Sequence, residues 1–221
     1  MVSLIWKDII VQKKSWWTVV LYAVFMHVAL AQMAAGAYSA GAVGIAYVLI
    51  MGAGAYDEKN KTEMLLNSLP LKRRTIVLSK YVSAFIFMLV GMLGSAGAGA
   101  IMKVVGLPIP LRFVTWLDVL GMFLGPSFFI GVFFPIFFKL GYTRSRYLNI
   151  LIFMFFFFTP QYLLGLVRQQ PQLFERVSGW LANSNLPFSQ LAVLGVCLAS
   201  FAVLLLSLCL SIAIYQRKEM V

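Results

Sequence analysis

The stretch YDEKNKTEMLLNSLPLKRRTIVLSKY, residues 56–81, carries nine of the 25 charged residues of a 221-residue chain. Acidic residues come first, an apolar triplet follows at residues 64–66, and a basic run at residues 72–74 leads into the next apolar stretch. Charged side chains are costly in hydrocarbon, so this stretch is expected to lie in water between two membrane spans. The three apolar residues in a row are then expected to be exposed and to need a partner that covers them.

Long apolar runs flank this stretch on both sides. The chain is 62% hydrophobic and 11% charged. Several runs reach the ~20 residues with which a helix crosses ~30 Å of hydrocarbon. The pattern predicts an all-α, polytopic membrane protein made of a single transmembrane domain, residues 1–221. Its six transmembrane helices are predicted at residues 16–35, 38–55, 76–101, 117–138, 148–166 and 190–215.

Three segments lie outside the predicted spans. Residues 1–15 have the amphipathic pattern of a helix in the headgroup region, a frayed terminus being the alternative. Residues 57–75 form a polar segment whose short helix is expected to be capped by Thr62 or Asn60. Residues 167–189 are too polar to span and form an outer segment. A further short basic turn is predicted at residues 141–147.

Prolines are expected to interrupt two of the spans. Pro126 and Pro135 are expected to kink the fourth span, and Pro160 is expected to break the fifth before it exits, because proline lacks a backbone donor. The outer segment that follows is interpreted either as helices that re-enter the membrane as a lid or as an ordinary interfacial helix. Its apolar stripe consists of Leu173, Val177, Trp180 and Leu181.

Small residues recur at helical spacing in two of the spans. Gly91, Ser95 and Gly99 repeat every four residues in the third span, and Gly121 and Gly125 form a GxxxG pattern in the fourth. Such stripes are typical of membrane helices that approach a second helix closely.

The distribution of basic residues predicts the orientation. Six spans place both termini on one side of the membrane, and 14 of the 18 Lys and Arg residues fall on that side. The positive-inside rule therefore predicts that both termini and residues 57–75 are cytoplasmic. The net charge of +11 does not indicate nucleic-acid binding, because the basic residues fall at the ends of apolar runs.

Motifs for catalysis are missing from the sequence. It has no GxxxxGK[ST] phosphate loop, no plausible Ser/His/Asp or Cys/His set, and no predicted metal site, so the chain is not expected to be an enzyme. The one histidine, His27, lies mid-span, where a packed or pore-facing neutral side chain is favoured over a proton relay. All seven acidic residues fall at or beyond span ends, which disfavours an ion-coupled carrier.

The acidic stretch after the second span, followed by MLLNSLPLKRRTIVLSKY, resembles the permease subunits of type-2 ATP-binding-cassette (ABC) exporters. It is similar above all to the small bacterial permeases encoded apart from their ATPase, including exporters of phenol-soluble modulins and peptide antibiotics. The layout matches over essentially the whole chain, but the specific part is residues 58–81. The matching residues there are Leu66, Ser68, Leu69, Pro70, Arg73, Lys80 and Tyr81.

The resemblance implies a coupling helix between spans two and three that contacts the ATPase. It implies a dimer with a second permease, identical or paralogous, beneath two ABC ATPase subunits in a bacterial cytoplasmic membrane. No cofactor is expected on this chain, and ATP and Mg are expected on the partner ATPase. Residues assigned to ATPase contact are Glu58, Lys61, Glu63, Met64, Leu65, Leu66, Leu69, Pro70 and Arg73. Candidates for dimer packing or a substrate path are Gly91, Ser95, Met154, Phe155, Phe156, Phe157, Phe158 and Pro160.

The function predicted from this resemblance is the export of amphipathic or antimicrobial peptides, or of other hydrophobic compounds, by alternating access. Two alternatives stay open. One is a membrane anchor or assembly protein that holds a cytoplasmic factor and transports nothing, and the other, less favoured, is an ion-coupled carrier.

Overall fold

Helices form all of the regular structure in the described part of the chain. A computed structural model describes residues 1–29, 37–106, 114–169 and 186–217. The elements are α1 (Val2–Val11), a 3₁₀ turn (Gln12–Ser15), α2 (Trp16–Ala29), α3 (Ala37–Lys59), α4 (Thr62–Ser68), α5 (Arg73–Val104), α6 (Trp116–Gln169) and α7 (Leu186–Arg217).

Four stretches of these helices are long and apolar enough to cross a membrane. They are Ala37–Lys59, Arg73–Val104, Asp118–Leu148 and Cys197–Arg217, and Trp16–Ala29 is a shorter apolar helix. The prediction of an all-α membrane protein is confirmed at this level. Residues 30–35 of the first predicted span lie outside the described residues, and residues 155–166 of the fifth are described as helical backbone only.

The stripe of small residues on α5 packs against α3. A Cβ added at Gly91 would lie 2.6 Å from the carbonyl oxygen of Ala42, so the two backbones approach as closely as glycine allows. One turn further along, the Ser95 hydroxyl donates to the carbonyl oxygen of Tyr38 at 2.8 Å. The predicted close approach of a second helix is therefore confirmed, and that helix belongs to the same chain.

The GxxxG pattern of α6 also faces α3. Added Cβ atoms at Gly121 and Gly125 would meet the side chains of Ser39 and Val43, respectively. These pairs keep the same order along both helices, so α6 starts out parallel to α3, whereas α5 runs antiparallel to it. Helix α3 thus lies at the centre of the bundle, in contact with α2, α5 and α6.

The prediction that Pro160 breaks the fifth span is wrong for the described backbone, whereas a kink at Pro126 or Pro135 stays a prediction. Helical geometry continues through Pro126, Pro135 and Pro160 to Gln169, since membrane helices can satisfy the carbonyls that proline frees. The only non-helical residue within α6 is Gly141, with φ 77° and ψ 175°. This single glycine divides α6 into residues 116–140 and 142–169, and it replaces the longer turn predicted at residues 141–147.

An aromatic cluster fills the core where α6 meets its neighbours. Its ring centroids lie between 5.3 and 6.3 Å apart within α6, and Tyr47, Tyr81 and Tyr215 contact it from α3, α5 and α7. The α6 members are Phe129, Phe133, Phe134, Phe137 and Phe138. Tight aromatic packing of this kind stabilises the half of the bundle that lies toward the C-terminal end of α3.

His27 lies fully buried between α2 and α3. Its Nδ1 donates to the carbonyl oxygen of Ala23 at 2.9 Å, and its ring stands edge-on to Tyr38 with centroids 5.1 Å apart. This placement favours the packed, neutral side chain over a proton relay.

Candidate functional site

Helix α4 begins on an unusual backbone conformation. Lys61 has φ 48° and ψ 38°, in the left-handed region, and its carbonyl oxygen accepts from the backbone N–H groups of Met64 and Leu65. Lys61 is therefore the N-cap, and no side chain caps the helix, so the predicted capping by Thr62 or Asn60 is wrong. The left-handed residue turns the chain sharply out of α3 and sets α4 apart from it as a separate arm.

The apolar triplet of α4 is split between two environments. Met64 is 67% exposed and Leu65 is 61% exposed, whereas Leu66 is only 9% exposed and packs in the core with Ile76. The expectation that all three are exposed is wrong for Leu66, because successive residues of a helix point about 100° apart. Leu66 anchors α4 to the bundle, while Met64 and Leu65 are presented to the outside together with Leu69.

Four charged residues from three helices form an ion-pair cluster beside α4. Lys7 Nζ lies 2.6 Å from Asp57 Oδ1 and 3.2 Å from Asp8 Oδ1, and Lys80 Nζ lies 2.8 Å from Asp8 Oδ1. Lys80 also pairs with Asp57, which closes the ring of alternating charges. The Asp8 side chain is 3% exposed and the Lys80 side chain 12% exposed. Buried charges of this kind are tolerated only when they are paired.

The ion-pair cluster ties α1 to the two helices that flank α4. Asp57 lies in the last turn of α3, and Lys80 lies in the second turn of α5. Gln12 adds a further link, since its Nε2 donates to the carbonyl oxygen of Leu49 at 2.8 Å. The polar side of α1 thus faces protein, and its apolar stripe, Val2, Trp6 and Ile10, is left exposed.

Arg73 joins the beginning of α5 to the end of α7. Its Nη1 donates to the carbonyl oxygen of Gln216 at 2.8 Å and to that of Tyr215 at 3.4 Å. A cation at the C-terminal end of a helix satisfies free carbonyls and complements the helix dipole. Tyr81 adds a second link, with its hydroxyl 2.7 Å from Ser207 Oγ and 2.8 Å from Ser211 Oγ. Arg73, which was assigned to ATPase contact, therefore also has a role within the chain.

A cavity of about 590 Å³ opens beneath α4. Its floor is apolar and includes Leu66, Ile76, Phe137, Phe138 and Tyr215, and charged residues line its rim. These residues come from α3, α4, α5, α7 and both sides of Gly141 in α6. We call it the α4 cavity. It is a space between the helix ends, so a change in the position of α4 changes its shape.

The structure brings together the residues of the polar segment but not the second group of predicted site residues. Gly91 and Ser95 are buried between α3 and α5 of one chain, and Met154 is exposed on the second part of α6. The side chains of residues 155–158 and 160, and the outer stripe at residues 173–181, lie outside the described residues. A role for any of them in dimer packing or on a substrate path stays a prediction.

Sequence reasoning missed the ion-pair cluster and the α4 cavity. The one available signal for the cluster was Asp8, an acidic residue in a terminal segment that is otherwise basic. In residues 1–29, 37–106, 114–169 and 186–217, no three His, Cys, Asp or Glu side chains are grouped so that they could hold a metal ion.

Comparison with known protein families identifies the family of this chain. A family described as "ABC-2 family transporter protein" matches residues 3–216, nearly the whole chain. The chain belongs to the ABC-2 transporter family. No curated protein and no solved structure matches it. As an ABC-2 permease it is a non-catalytic, multi-pass membrane protein, and the ATPase is a separate subunit. ABC-2 permeases pair with ABC ATPase subunits.

Membership in this family confirms the resemblance at the level of the transporter class. It establishes the chain as the membrane component of an ABC-2 type transporter, and of the three functions left open by the sequence it favours the ATP-driven one.

Proposed function

We propose that this ABC-2 permease is the membrane subunit of an ATP-driven exporter and that α4 is its coupling helix. The observation that carries the proposal is that neighbouring residues of α4 have different environments. Leu66 is buried in the core, whereas Met64 and Leu65 project outward. An apolar pair exposed at the tip of a short charged arm fits a hydrophobic groove on a soluble partner. Glu58, Lys61 and Glu63 flank the pair, and they would orient α4 on the ATPase by pairing with complementary charges there.

The helix directions support six membrane crossings. Helices α2 and α3 run antiparallel, as do α3 and α5, and the first part of α6 runs parallel to α3. Helix α7 is parallel to that part of α6, because Gly131 faces Val203 and Phe138 faces Tyr215. The chain must then return to the opposite end of the bundle between residues 141 and 185. That return is the fifth crossing of the proposed topology.

The same contacts support an arrangement with both chain ends near α4. Lys7 of α1 contacts Asp57, and Gln216 at the end of α7 accepts from Arg73. Positively charged residues are concentrated at this end, so we place it in the cytoplasm of a bacterial cell. The exposed apolar stripe of α1 then lies in the headgroup layer of the membrane.

The working complex in this proposal is a dimer of permeases, identical or paralogous, with two ABC ATPase subunits. ATP binding closes the ATPase pair, the two α4 helices move with it, and the permeases rock to expose a central path to the outside. The cargo class is amphipathic or antimicrobial peptides or other hydrophobic compounds. The similarity of residues 58–81 to peptide exporter permeases supports this class, and residues 154–160 and the outer segment 167–189 are the candidate path.

The test is to co-express the tagged full chain with ABC ATPase subunits of the same genome and to purify the complex in mild detergent. We expect ATPase activity to co-purify with the native chain. Changing Met64 and Leu65 together to serine should reduce the co-purified activity at least about tenfold, which corresponds to the ~1.4 kcal/mol that each decade of affinity represents. Leu66 is left unchanged, because its loss would disturb the core.

Tyr147→Ser is the matched control, since Tyr147 is equally exposed and lies on α6 rather than α4. The control should retain the activity of the native complex. Undiminished activity in the Met64/Leu65 double variant would refute the coupling role of α4. If no ATPase co-purifies with the native chain, export driven by that ATPase is refuted and the anchoring alternative gains support.

A further inference from the structure

We propose that the α4 cavity binds a single-chain anionic amphiphile, with the apolar chain on the cavity floor and the anionic head between Lys61 and Arg144. Binding itself requires neither the ATPase nor cargo, so the proposal goes beyond the transport function. Only its consequence for the position of α4 rests on the proposed coupling role.

The size and floor of the cavity suit an aliphatic chain. A volume of about 590 Å³ falls within the ~300–1,000 Å³ of pockets that hold small molecules. Leu66, Ile76, Phe137, Phe138 and Tyr215 provide an apolar floor, and an aliphatic chain that is buried there leaves water, which is favourable. The charged residues that line the cavity are Asp57, Glu58, Lys61, Glu63, Lys80 and Arg144.

The charged residues at the rim of the cavity differ in whether they have partners within the described part of the chain. Asp57 pairs with Lys7 and Lys80, the carboxylate of Glu58 accepts from the hydroxyl of Thr143, and Glu63 has a further interaction within the chain. The side chains of Lys61 and Arg144 make no hydrogen bond or ion pair to the described residues. Three acidic and three basic residues line the cavity, so its net formal charge is zero, and the donors left for a ligand are those of Lys61 and Arg144. An anionic head can accept from both, and a guanidinium can hold a carboxylate through two hydrogen bonds.

Because of where the cavity lies, a bound ligand would affect the position of α4. It is lined by α4 on one side and by residues 140–144 of α6, around the non-helical Gly141, on the other. A ligand that bridges these two walls restrains α4 relative to the bundle. If α4 is the coupling helix, occupancy of the cavity should change the ATPase activity of the complex.

The binding test uses photolabelling of the purified full chain in phosphatidylcholine nanodiscs. The probe is hexadecanoic acid with a diazirine near its methyl end, used at alkaline pH so that the carboxyl group is ionised, and the matched neutral probe is the corresponding alcohol. Mass spectrometry then maps the labelled residues. The acid should label Leu66, Phe137 and Phe138 at least about fivefold more than the alcohol, the factor expected for a charge-assisted hydrogen bond.

Two variants identify the site. Arg144→Glu should reduce labelling of the floor about fivefold or more, because it replaces an attracting charge by a repelling one. Thr62→Phe, which places a ring in the cavity from its rim, should reduce labelling by acid and alcohol alike. Arg74→Glu is the control, since Arg74 is exposed nearby but does not line the cavity. The exposed residues Leu198 and Leu205 of α7 measure labelling from the bilayer, and it should be the same for all variants.

The proposal is overturned if acid and alcohol label the floor equally after this correction, or if folded Arg144→Glu protein labels like the native chain. It is also overturned if a two-chain anionic phospholipid probe labels the floor and the acid does not. If Arg144→Glu fails to fold, the acid-to-alcohol ratio of the native chain and the Thr62→Phe variant decide. None of these outcomes depends on transport, so failure here leaves the proposed coupling role standing.

Discussion

Replacing Gly91 by alanine should separate α3 from α5 and destabilise the bundle. The added Cβ would lie 2.6 Å from the carbonyl oxygen of Ala42, whereas ordinary contacts of a Cβ begin near 3.4 Å. The atom it meets belongs to the backbone of α3, so no side chain can rotate away. The helices must therefore move apart by about 0.8 Å, the difference between these two distances.

A displacement of this size has two energetic consequences. The hydrogen bond from Ser95 to the Tyr38 carbonyl, 2.8 Å long, would stretch to about 3.6 Å, which is no longer a hydrogen bond and costs roughly 0.5–1.5 kcal/mol. Gaps of 0.5–1 Å also forfeit about a quarter to a half of the dispersion energy at each contact, and overpacked sites lose ~1–3 kcal/mol. We expect a total loss of about 2–4 kcal/mol along this interface, before any gain from helix propensity.

Gly97→Ala provides the matched control in the same helix. A Cβ added at Gly97 meets no atom of the described residues within 4 Å, so this variant reports only the propensity gain of alanine over glycine, about 1 kcal/mol. The difference between the two variants cancels that gain and isolates the close contact. Free energies of unfolding from SDS titration in mixed micelles measure it. If Gly91→Ala unfolds within about 0.5 kcal/mol of Gly97→Ala, the difference is no larger than that of an ordinary surface substitution and the reasoning is refuted.

Three further predictions concern the charged end of the bundle. Lys80→Met should lower the free energy of unfolding by about 3 kcal/mol, since it leaves the buried Asp8 with Lys7 alone. A separate variant in which all four cluster residues have the opposite charge should be more stable than Lys80→Met, and equal or lower stability would contradict the ring of alternating charges. Gly141→Ala should cost about 1–3 kcal/mol from backbone strain alone, because φ 77° with ψ 175° is a region for glycine and no atom in the described part of the chain lies within 4 Å of its added Cβ; an unchanged thermal midpoint would contradict this. Arg73→Ala should speed hydrogen exchange at the end of α7, with Arg74→Ala as the unaffected control.

The sequence predicted those features that depend on spacing along one helix. Gly91, Ser95 and Gly99 fall every four residues, which places them on one face wherever that helix packs. The sequence did not say which helix they would meet, and the same pattern serves a contact within one chain or between two. Their packing against α3 follows only from the order in which the helices assemble.

Two predictions failed for reasons that local geometry explains. A run of three apolar residues on a helix spans about 200° of its circumference, so one side of α4 had to face the bundle, and Leu66 does. Pro160 removes one backbone donor, but membrane helices satisfy the carbonyl that a proline frees, and the helix continues through it. The break in α6 instead falls at Gly141, where the backbone adopts a conformation that only glycine reaches easily.

The ion-pair cluster could not be predicted from local sequence patterns, because its members are far apart in the chain. Lys7 and Asp57 are 50 residues apart, and Asp8 and Lys80 are 72 residues apart. Each of them, taken alone, has the pattern of a solvated residue at a helix end. Only the fold shows that three helix ends meet there, and buried partners then become necessary because a lone charge at that depth would be destabilising.

These contacts determine how a force on α4 would reach the membrane helices. The described contacts hold α4 mainly through Leu66 and through its two chain connections, whereas α3 and α5 are joined to each other and to α1 by the ion-pair cluster. Asp57 lies just before one connection, and Lys80 lies one to two turns after the other. A push on Met64 and Leu65 would therefore be delivered to α3 and α5 together rather than to either helix alone. Loss of Lys80 should then weaken coupling more than it weakens ATPase binding, since the surface of α4 would be unchanged while the ends of α3 and α5 beside α4 lose their charged link.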